Sequence, residues 1–137
     1  MANPNIVAVT SIYGNTAYVI PSGTTATTSW TYNGTTSLTG LTPAAGTVNK
    51  IDSIVVSNTT SSAVNCTVAI ANNATFGSGT VIAYLAYQVS VPPNASVIVT
   101  DKTTSFYVTE NQSVGVTSGT ASALTYAASF EAITQKS

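Results

Sequence analysis

Charge is the scarcest property of this chain: only 5% of its 137 residues are Asp, Glu, Lys or Arg, and it contains no histidine. All three basic residues are lysines. Acid–base catalysis, metal binding and phosphate recognition draw on His, Arg and clustered carboxylates. We therefore expect no enzymatic activity, no cofactor, no bound metal and no nucleic-acid partner.

Long hydrophobic runs are also missing, although 44% of the residues are hydrophobic. No run approaches the roughly 20 apolar residues of a membrane-spanning helix. The longest, Val81–Ala86, is short and is interrupted by Tyr84. Residues 1–20 lack the basic start and the continuous apolar stretch of a secretory signal. We expect a protein made in the cytoplasm, with no membrane segment.

Cysteine occurs once, at Cys66, so no disulfide can form within the chain. Cys66 alternates with Val64, Val68 and Ile70, which places all four on one face of a strand. Without a histidine to activate it, the thiol has no catalytic partner of the usual kind. The pattern predicts a small buried hydrophobic residue.

The net charge of −1 leaves little electrostatic repulsion between copies of the chain. This near-neutrality favours close association of many subunits over life as a dilute monomer. We therefore expect a homo-oligomer or a multi-copy assembly.

What the chain has in abundance is period-two alternation of apolar and polar residues, interrupted at short intervals by Gly, Pro and Asn. Thr80–Val91 is the clearest strand, with Tyr84 and Tyr87 expected on opposite faces, and Leu124–Ala132 is nearly as regular. Other predicted strands are Val48–Asn58, Ala63–Ala71, Ala95–Thr100, Ser105–Thr109 and Ser113–Thr117. The first two of these flank a polar linker of hairpin length, and Ala95–Thr100 is expected to return as the partner of Thr80–Val91.

The N-terminal third differs from the rest of the chain in composition and in the length of its predicted strands. Ile6–Tyr13 and Thr16–Ile20 are predicted as two strands around Gly14-Asn15, followed by a Thr/Gly-rich stretch. That stretch contains Asn33-Gly34, and Asn-Gly is the dipeptide that most strongly indicates a tight hairpin turn. We expect a projecting hairpin there, with Trp30 and Tyr32 on one of its faces.

Together these patterns predict an all-β protein: a single β-sandwich or jelly-roll-like domain of about seven to nine short antiparallel strands, with an N-terminal arm or edge strand. We divide it into residues 1–23 (N-terminal strand or arm), 24–46 (inserted hairpin and loop) and 47–137 (sandwich body). All three parts are expected to form one domain.

The few charged residues suggest little chemistry. Asp101 and Glu110 bracket one strand and could be proposed as a glycosidase pair, but Asp101–Thr104 has the composition of a polar turn. Lys50 and Asp52 are spaced to pair side by side on a strand, where an exposed ion pair contributes little.

Trp30 and Tyr32 are open to three interpretations. On an isolated hairpin they could form a flat platform for a sugar ring or anchor a partner subunit, and alternatively they could fold back onto the domain's own core.

Five segments carry a resemblance to a known family. They are Met1–Gly14, Lys50–Asn58, Val91–Ala95, Ser105–Val108 and Ser129–Ile133. In this order they resemble small virion structural proteins of tailed phages, notably cyanophages, over residues 1–20 and 47–134. The Thr-rich stretch near residues 24–46 departs from the pattern.

The resemblance implies a capsid decoration or cement protein, located on the virion, that binds the major capsid protein or copies of itself. The candidate interface residues are Ile6, Val9, Ile12 and Tyr13, as an arm or edge strand that pairs with a neighbour, together with Trp30 and Tyr32. Two alternatives stay open: a tail, collar or fibre protein that contacts host glycans, and a free carbohydrate-binding module.

Overall fold

The protein is an all-β domain, as predicted. The structure, a computed structural model, describes residues 9–135. Its strands are β1 (Val9–Val19), β2 (Ser29–Tyr32), β3 (Thr36–Thr39), β4 (Thr47–Asn58), β5 (Val64–Ala71), β6 (Val81–Val91), β7 (Ser96–Thr100), β8 (Phe106–Val108), β9 (Ser113–Ser118) and β10 (Leu124–Gln135). Two 3-10 turns, η1 (Phe76–Ser78) and η2 (Lys102–Thr104), interrupt them. Among residues 9–135 no helix is long and apolar enough to cross a membrane.

The strands form two antiparallel sheets. The larger sheet has the order β3-β2-β1-β10-β4-β7, and the smaller sheet has the order β6-β5-β9. Strand β8 also belongs to the larger sheet, because it pairs with Asn49–Ile51 of β4, whereas β7 pairs with Ile54–Ser57 further along the same strand. Strand β4 is thus long enough to hold two short strands on one edge.

The core lies between the two sheets. Alternate residues of β4, such as Ile54 and Val56, are fully buried, as are Val68 of β5, Val116 of β9 and Leu124 of β10. Period-two alternation of β-branched residues puts one face of each strand against the opposite sheet. The fold is therefore a β-sandwich, in agreement with the prediction.

Strand β1 runs without a break through Gly14-Asn15, where the sequence predicts a boundary between two strands. Gly14 pairs with Glu131 and Asn15 with Phe130, so both residues stay in the ladder with β10. Neither residue has a positive φ. A long partner strand has overridden the local turn preference of this dipeptide.

The β2–β3 hairpin does not project from the domain, which corrects the prediction. The hairpin forms around the turn at Asn33 and Gly34, with φ values of 53° and 79°, but it extends the larger sheet as its outermost strands. Both its ends are also bonded to β9 of the other sheet: Thr27 exchanges backbone hydrogen bonds with Val116 at 2.9 and 3.0 Å, and Val114 N–H donates to Gly40 at 2.7 Å. The hairpin therefore belongs to the larger sheet and is also hydrogen-bonded to the smaller one.

Two connections that the sequence treats as hairpins pass instead from one sheet to the other. Strand β4 lies in the larger sheet and β5 in the smaller, and β7 pairs with β4 instead of β6. Asn58 supports both crossings at the end of β4. Its side chain donates to Ser62 O at 2.7 Å and Val91 O at 3.0 Å, and it accepts from the Thr60 N–H at 2.9 Å.

Candidate functional site

The predicted N-terminal interface residues lie on β1 or precede it. Ile6 lies outside the described residues, and Val9 is the first residue of β1. Ile12 and Tyr13 are 56% and 65% exposed, respectively. They stand on opposite faces of β1, because neighbouring side chains of a strand alternate. The structure therefore leaves both available for contact.

Strand β1 is an edge strand over most of its length. One side pairs with β10 along the whole strand, whereas on the other side β2 pairs only with Ala17 and Tyr18. Within residues 9–135, no strand pairs with that second side between Val9 and Thr16. We refer to this stretch as the open β1 edge.

Trp30 is buried, so it offers neither a sugar platform nor a partner anchor on the surface. Its side chain is fully enclosed, and its indole Nε1–H donates to Val114 O on β9 at 3.2 Å. Of the three interpretations, packing on the domain's own core is the one observed. The physical reason is that a buried indole gains a large apolar contact area and still finds an acceptor for its N–H.

Tyr32 is half-buried and packs edge-on against Phe130 of β10, with ring centroids 6.0 Å apart. It lines a cleft of about 290 Å³ together with Leu38, Pro43 and Ala132. Its lining residues lie on strands of the larger sheet and in the loop before β4. Tyr32 therefore supports the fold of the hairpin, and only part of its ring reaches the surface.

The charged residues hold local structure together. Lys50 Nζ lies 3.8 Å from Asp52 and 3.9 Å from Glu131, which confirms the predicted pairing of Lys50 with Asp52. Asp101 caps η2 and accepts from Thr103 N–H at 3.0 Å. Hydrogen bonds from Thr103 and Thr104 hold the pKa of the Asp101 carboxyl below its ordinary value. The interpretation of Asp101–Thr104 as a polar turn is confirmed.

Glu110 also contacts backbone: its Oε2 accepts from Gly46 N–H at 3.3 Å, which joins the β8–β9 turn to the loop before β4. Across residues 9–135 no group of three or more His, Cys, Asp or Glu side chains is placed to hold a metal ion.

Cys66 is fully buried on β5, as predicted. Burial raises the pKa of its thiol above the ordinary value of 9.0. Tyr126 of β10 is also buried, and its phenol donates to Thr117 O at 2.6 Å. Burial raises the pKa of Tyr126 far above 10.0. Both groups therefore stay neutral and behave as core residues.

An exposed apolar cluster lies on β6, at the edge of the smaller sheet, and sequence reasoning missed it. Its four members, which we call the β6 patch, are Ile82, Tyr84, Tyr87 and Val89, with exposed fractions of 53%, 53%, 60% and 38%. Tyr84 and Tyr87 contact each other, with ring centroids 4.8 Å apart. The two tyrosines thus lie on the same side of the strand. The alternation of the sequence had predicted opposite sides.

Three register shifts between β5 and β6 explain the difference. At each shift β6 contributes one residue more than β5, so the alternation of its side chains restarts. At the shift nearest Tyr87, Gln88 adopts a φ of 50°, and its N–H donates to the Thr67 hydroxyl at 3.0 Å. A signal for the patch was present in the sequence, because residues 53–100 contain no charged side chain.

No family model, curated protein or solved structure matches the chain.

Proposed function

We propose that the protein is a non-enzymatic structural component of a tailed-phage virion, a decoration or cement protein that binds the major capsid protein and stabilises the shell. The observation that carries this proposal is the uncharged, apolar β6 patch. The resemblance of five sequence segments to small phage virion proteins supplies the class of partner.

The β6 patch is large enough to contribute to a protein contact. Its two tyrosines are more than half exposed, and an aromatic side chain buries roughly 150 to 250 Å² when covered. With Ile82 and Val89, the patch reaches the order of 400 Å², within the range of apolar patches that serve as binding sites. Tyrosine is also among the residues enriched at the centres of protein interfaces.

The patch suits docking by side chains better than docking by strand addition. Bulges twist an edge strand and disrupt the regular ladder of N–H and C=O groups that an added strand would need. Strand β6 has three such irregularities along its 11 residues. A shell protein would therefore meet the tyrosines and Ile82 with an apolar surface of its own.

The mechanism is additive. A copy that contacts two shell subunits opposes their separation, and many copies add their modest contact energies over a shell under internal pressure. Near-neutrality allows such dense packing, because few like charges are brought together.

Copy number in purified virions tests the location. Quantitative mass spectrometry is expected to give a number comparable with that of the major capsid protein or its capsomers. A number set by the low rotational symmetry of a tail would overturn the capsid assignment.

The patch itself is tested with shells that lack the protein. Replacing both Tyr84 and Tyr87 by Asp is expected to weaken binding to such shells by at least about tenfold. Tyr107→Asp is the matched control, because Tyr107 is a 46% exposed tyrosine on β8 of the other sheet. Equal binding by the double variant and the control would contradict docking through β6.

A further inference from the structure

We propose that two copies of this chain associate through the open β1 edge, pairing their β1 strands antiparallel about a two-fold axis at Tyr13. The larger sheets of the two copies then become one continuous sheet. This inference concerns the isolated protein and does not depend on a capsid partner.

The open β1 edge supplies the unpaired backbone that strand addition requires. From Val9 to Thr16 one side of β1 has no strand partner within residues 9–135. An unpaired edge presents N–H and C=O groups that readily pair with another chain. Unlike β6, β1 is regular from Ser11 onward, because its single register shift against β10 lies between Val9 and Ser11.

The position of the hairpin fixes the register of the pairing. In an antiparallel pair about a two-fold axis, residue 13−n of one copy faces residue 13+n of the other when Tyr13 lies on the axis. Residue 16 then faces residue 10, and pairing ends there because Ala17 is already paired with Tyr32. The register shift between Val9 and Ser11 marks where the incoming strand departs from regular geometry. A pairing centred on Tyr13 therefore uses residues 10–16, which is all of the open β1 edge except Val9.

Side chains fit this register on both faces of the sheet. On one face the two Tyr13 side chains meet at the axis, and each lies beside Ala132 of its own β10, a small neighbour that leaves room. On the other face Ile12 of one copy faces Gly14 of the second copy. Nothing lies within 4 Å of the place where a Cβ at Gly14 would stand, so that face has space for the Ile12 side chain.

The absence of charge favours a second copy of the chain as the partner of the open β1 edge. Residues 1–49 contain no charged side chain, so two identical edges meet without like charges in the ladder. Glu131, which pairs with Gly14, is the nearest charged residue along the ladder. Strand spacings place the two Glu131 residues roughly 16 Å apart across the axis, beyond the screening length at physiological salt.

Cysteine cross-linking of the purified full-length chain tests both the contact and its register. In the proposed register the Tyr13 Cα atoms of the two copies lie about 4.5 to 5.5 Å apart, within disulfide range. Tyr13→Cys is therefore expected to give a covalent dimer with oxidised glutathione. Ser11→Cys lies on the same face, but its two copies are separated by roughly 14 Å and are expected not to cross-link with each other. Ser11→Cys mixed with Asn15→Cys should form the heterodimer. The native Cys66 is fully buried and does not compete.

Sedimentation measurements complete the test. The native chain is expected to be dimeric, and Tyr13→Lys should raise its dimer dissociation constant at least about tenfold, because two positive charges meet at the axis. Tyr18→Lys is the control on the same strand, beyond the open edge. A monomeric native chain would overturn the proposal, as would a dimer that cross-links at Ser11→Cys but not at Tyr13→Cys. Neither result bears on binding to shells through β6.

Discussion

At the scale of single residues, Trp30 contributes most clearly to the fold. It lies on β2 of one sheet and bonds to the backbone of β9 in the other. It thereby combines the largest buried side chain of the domain with a directional contact between the sheets. Trp30, which the sequence made a candidate for recognition, therefore joins the two sheets of the sandwich instead.

Trp30→Ala is expected to lower the free energy of unfolding by about 3 to 5 kcal/mol, because it leaves a large cavity. Trp30→Phe should cost less, since it keeps the apolar contact and loses the hydrogen bond, which leaves Val114 O without that donor. Equilibrium urea unfolding followed by circular dichroism measures both changes.

Tyr107→Ala serves as the control for these variants, with an expected change within about 0.5 kcal/mol for an exposed site. Trp30 is the single tryptophan, so its fluorescence reports the core directly. Acrylamide should leave the emission of the native protein unquenched. Strong quenching would contradict the burial of the indole.

Sequence reasoning could recover the burial of Cys66 and the pairing of Lys50 with Asp52, because both follow from spacing along one strand. It could not decide between the surface and the core for Trp30. That choice depends on Val114, 84 residues away in sequence, which accepts the indole N–H. The alternation of residues along a strand predicts on which face each side chain lies, but it does not predict which other strand packs against that face.

At the scale of elements, the hairpin depends on a close approach between Gly40 and β9. Gly40 has a φ of +67°, and a Cβ at this position would lie 2.6 Å from Ser113 Cβ. Its carbonyl also accepts from Val114 N–H. Glycine is required here both for its backbone conformation and for its lack of a side chain.

A series of three alanine variants separates these two requirements. Gly40→Ala is expected to destabilise the protein most, because it incurs the conformational cost of about 1 to 3 kcal/mol and a steric clash. Gly34→Ala incurs the conformational cost alone, since it has a φ of +79° and open space around it. Gly23→Ala incurs neither and should be close to neutral.

Thermal unfolding of the three variants measures this order. If Gly34→Ala and Gly40→Ala shift the midpoint equally, the contact between the hairpin and β9 is looser than described.

The strands themselves were largely predictable, whereas their pairing was not. Thr80–Val91 and Leu124–Ala132 correspond closely to β6 and β10, because long alternating runs determine strand position. The polar linker after β4 has hairpin length but crosses between sheets, since Asn58 bonds to both connections there. The β6 patch was missed because each bulge reverses the alternation on which the prediction relied.

At the scale of the whole molecule, the lack of histidine and the scarcity of carboxylates determine the pH dependence of stability. Asp101 has a lowered pKa in the folded state, so its contribution is present above its ordinary value of 3.8 and is lost as the pH falls through the lowered value. Cys66 and Tyr126 have raised pKa values, so their contributions are present below 9.0 and 10.0 and are lost as the pH rises further.

The free energy of unfolding is therefore expected to change little between about pH 5 and pH 8, because no side chain with an ordinary pKa in this range is present. It should fall at acidic pH and above about pH 9. Urea titrations at a series of pH values measure the profile.

Tyr126→Phe should flatten the alkaline part of the profile, because the variant has no phenol to ionise in the unfolded chain. A steep change in stability between pH 6 and pH 7 would contradict the expectation.

The absence of charge from residues 53–100 has one more consequence, which concerns ionic strength. Dissolved salt weakens contacts between exposed charges but has nothing to screen where only apolar and hydroxyl groups meet. Contacts of the β6 patch with an apolar partner are therefore expected not to weaken from dilute buffer to concentrated brine, and strongly hydrated anions such as sulfate should strengthen them. The proposed binding through β6 should therefore tolerate changes in ionic strength that would weaken binding through ion pairs.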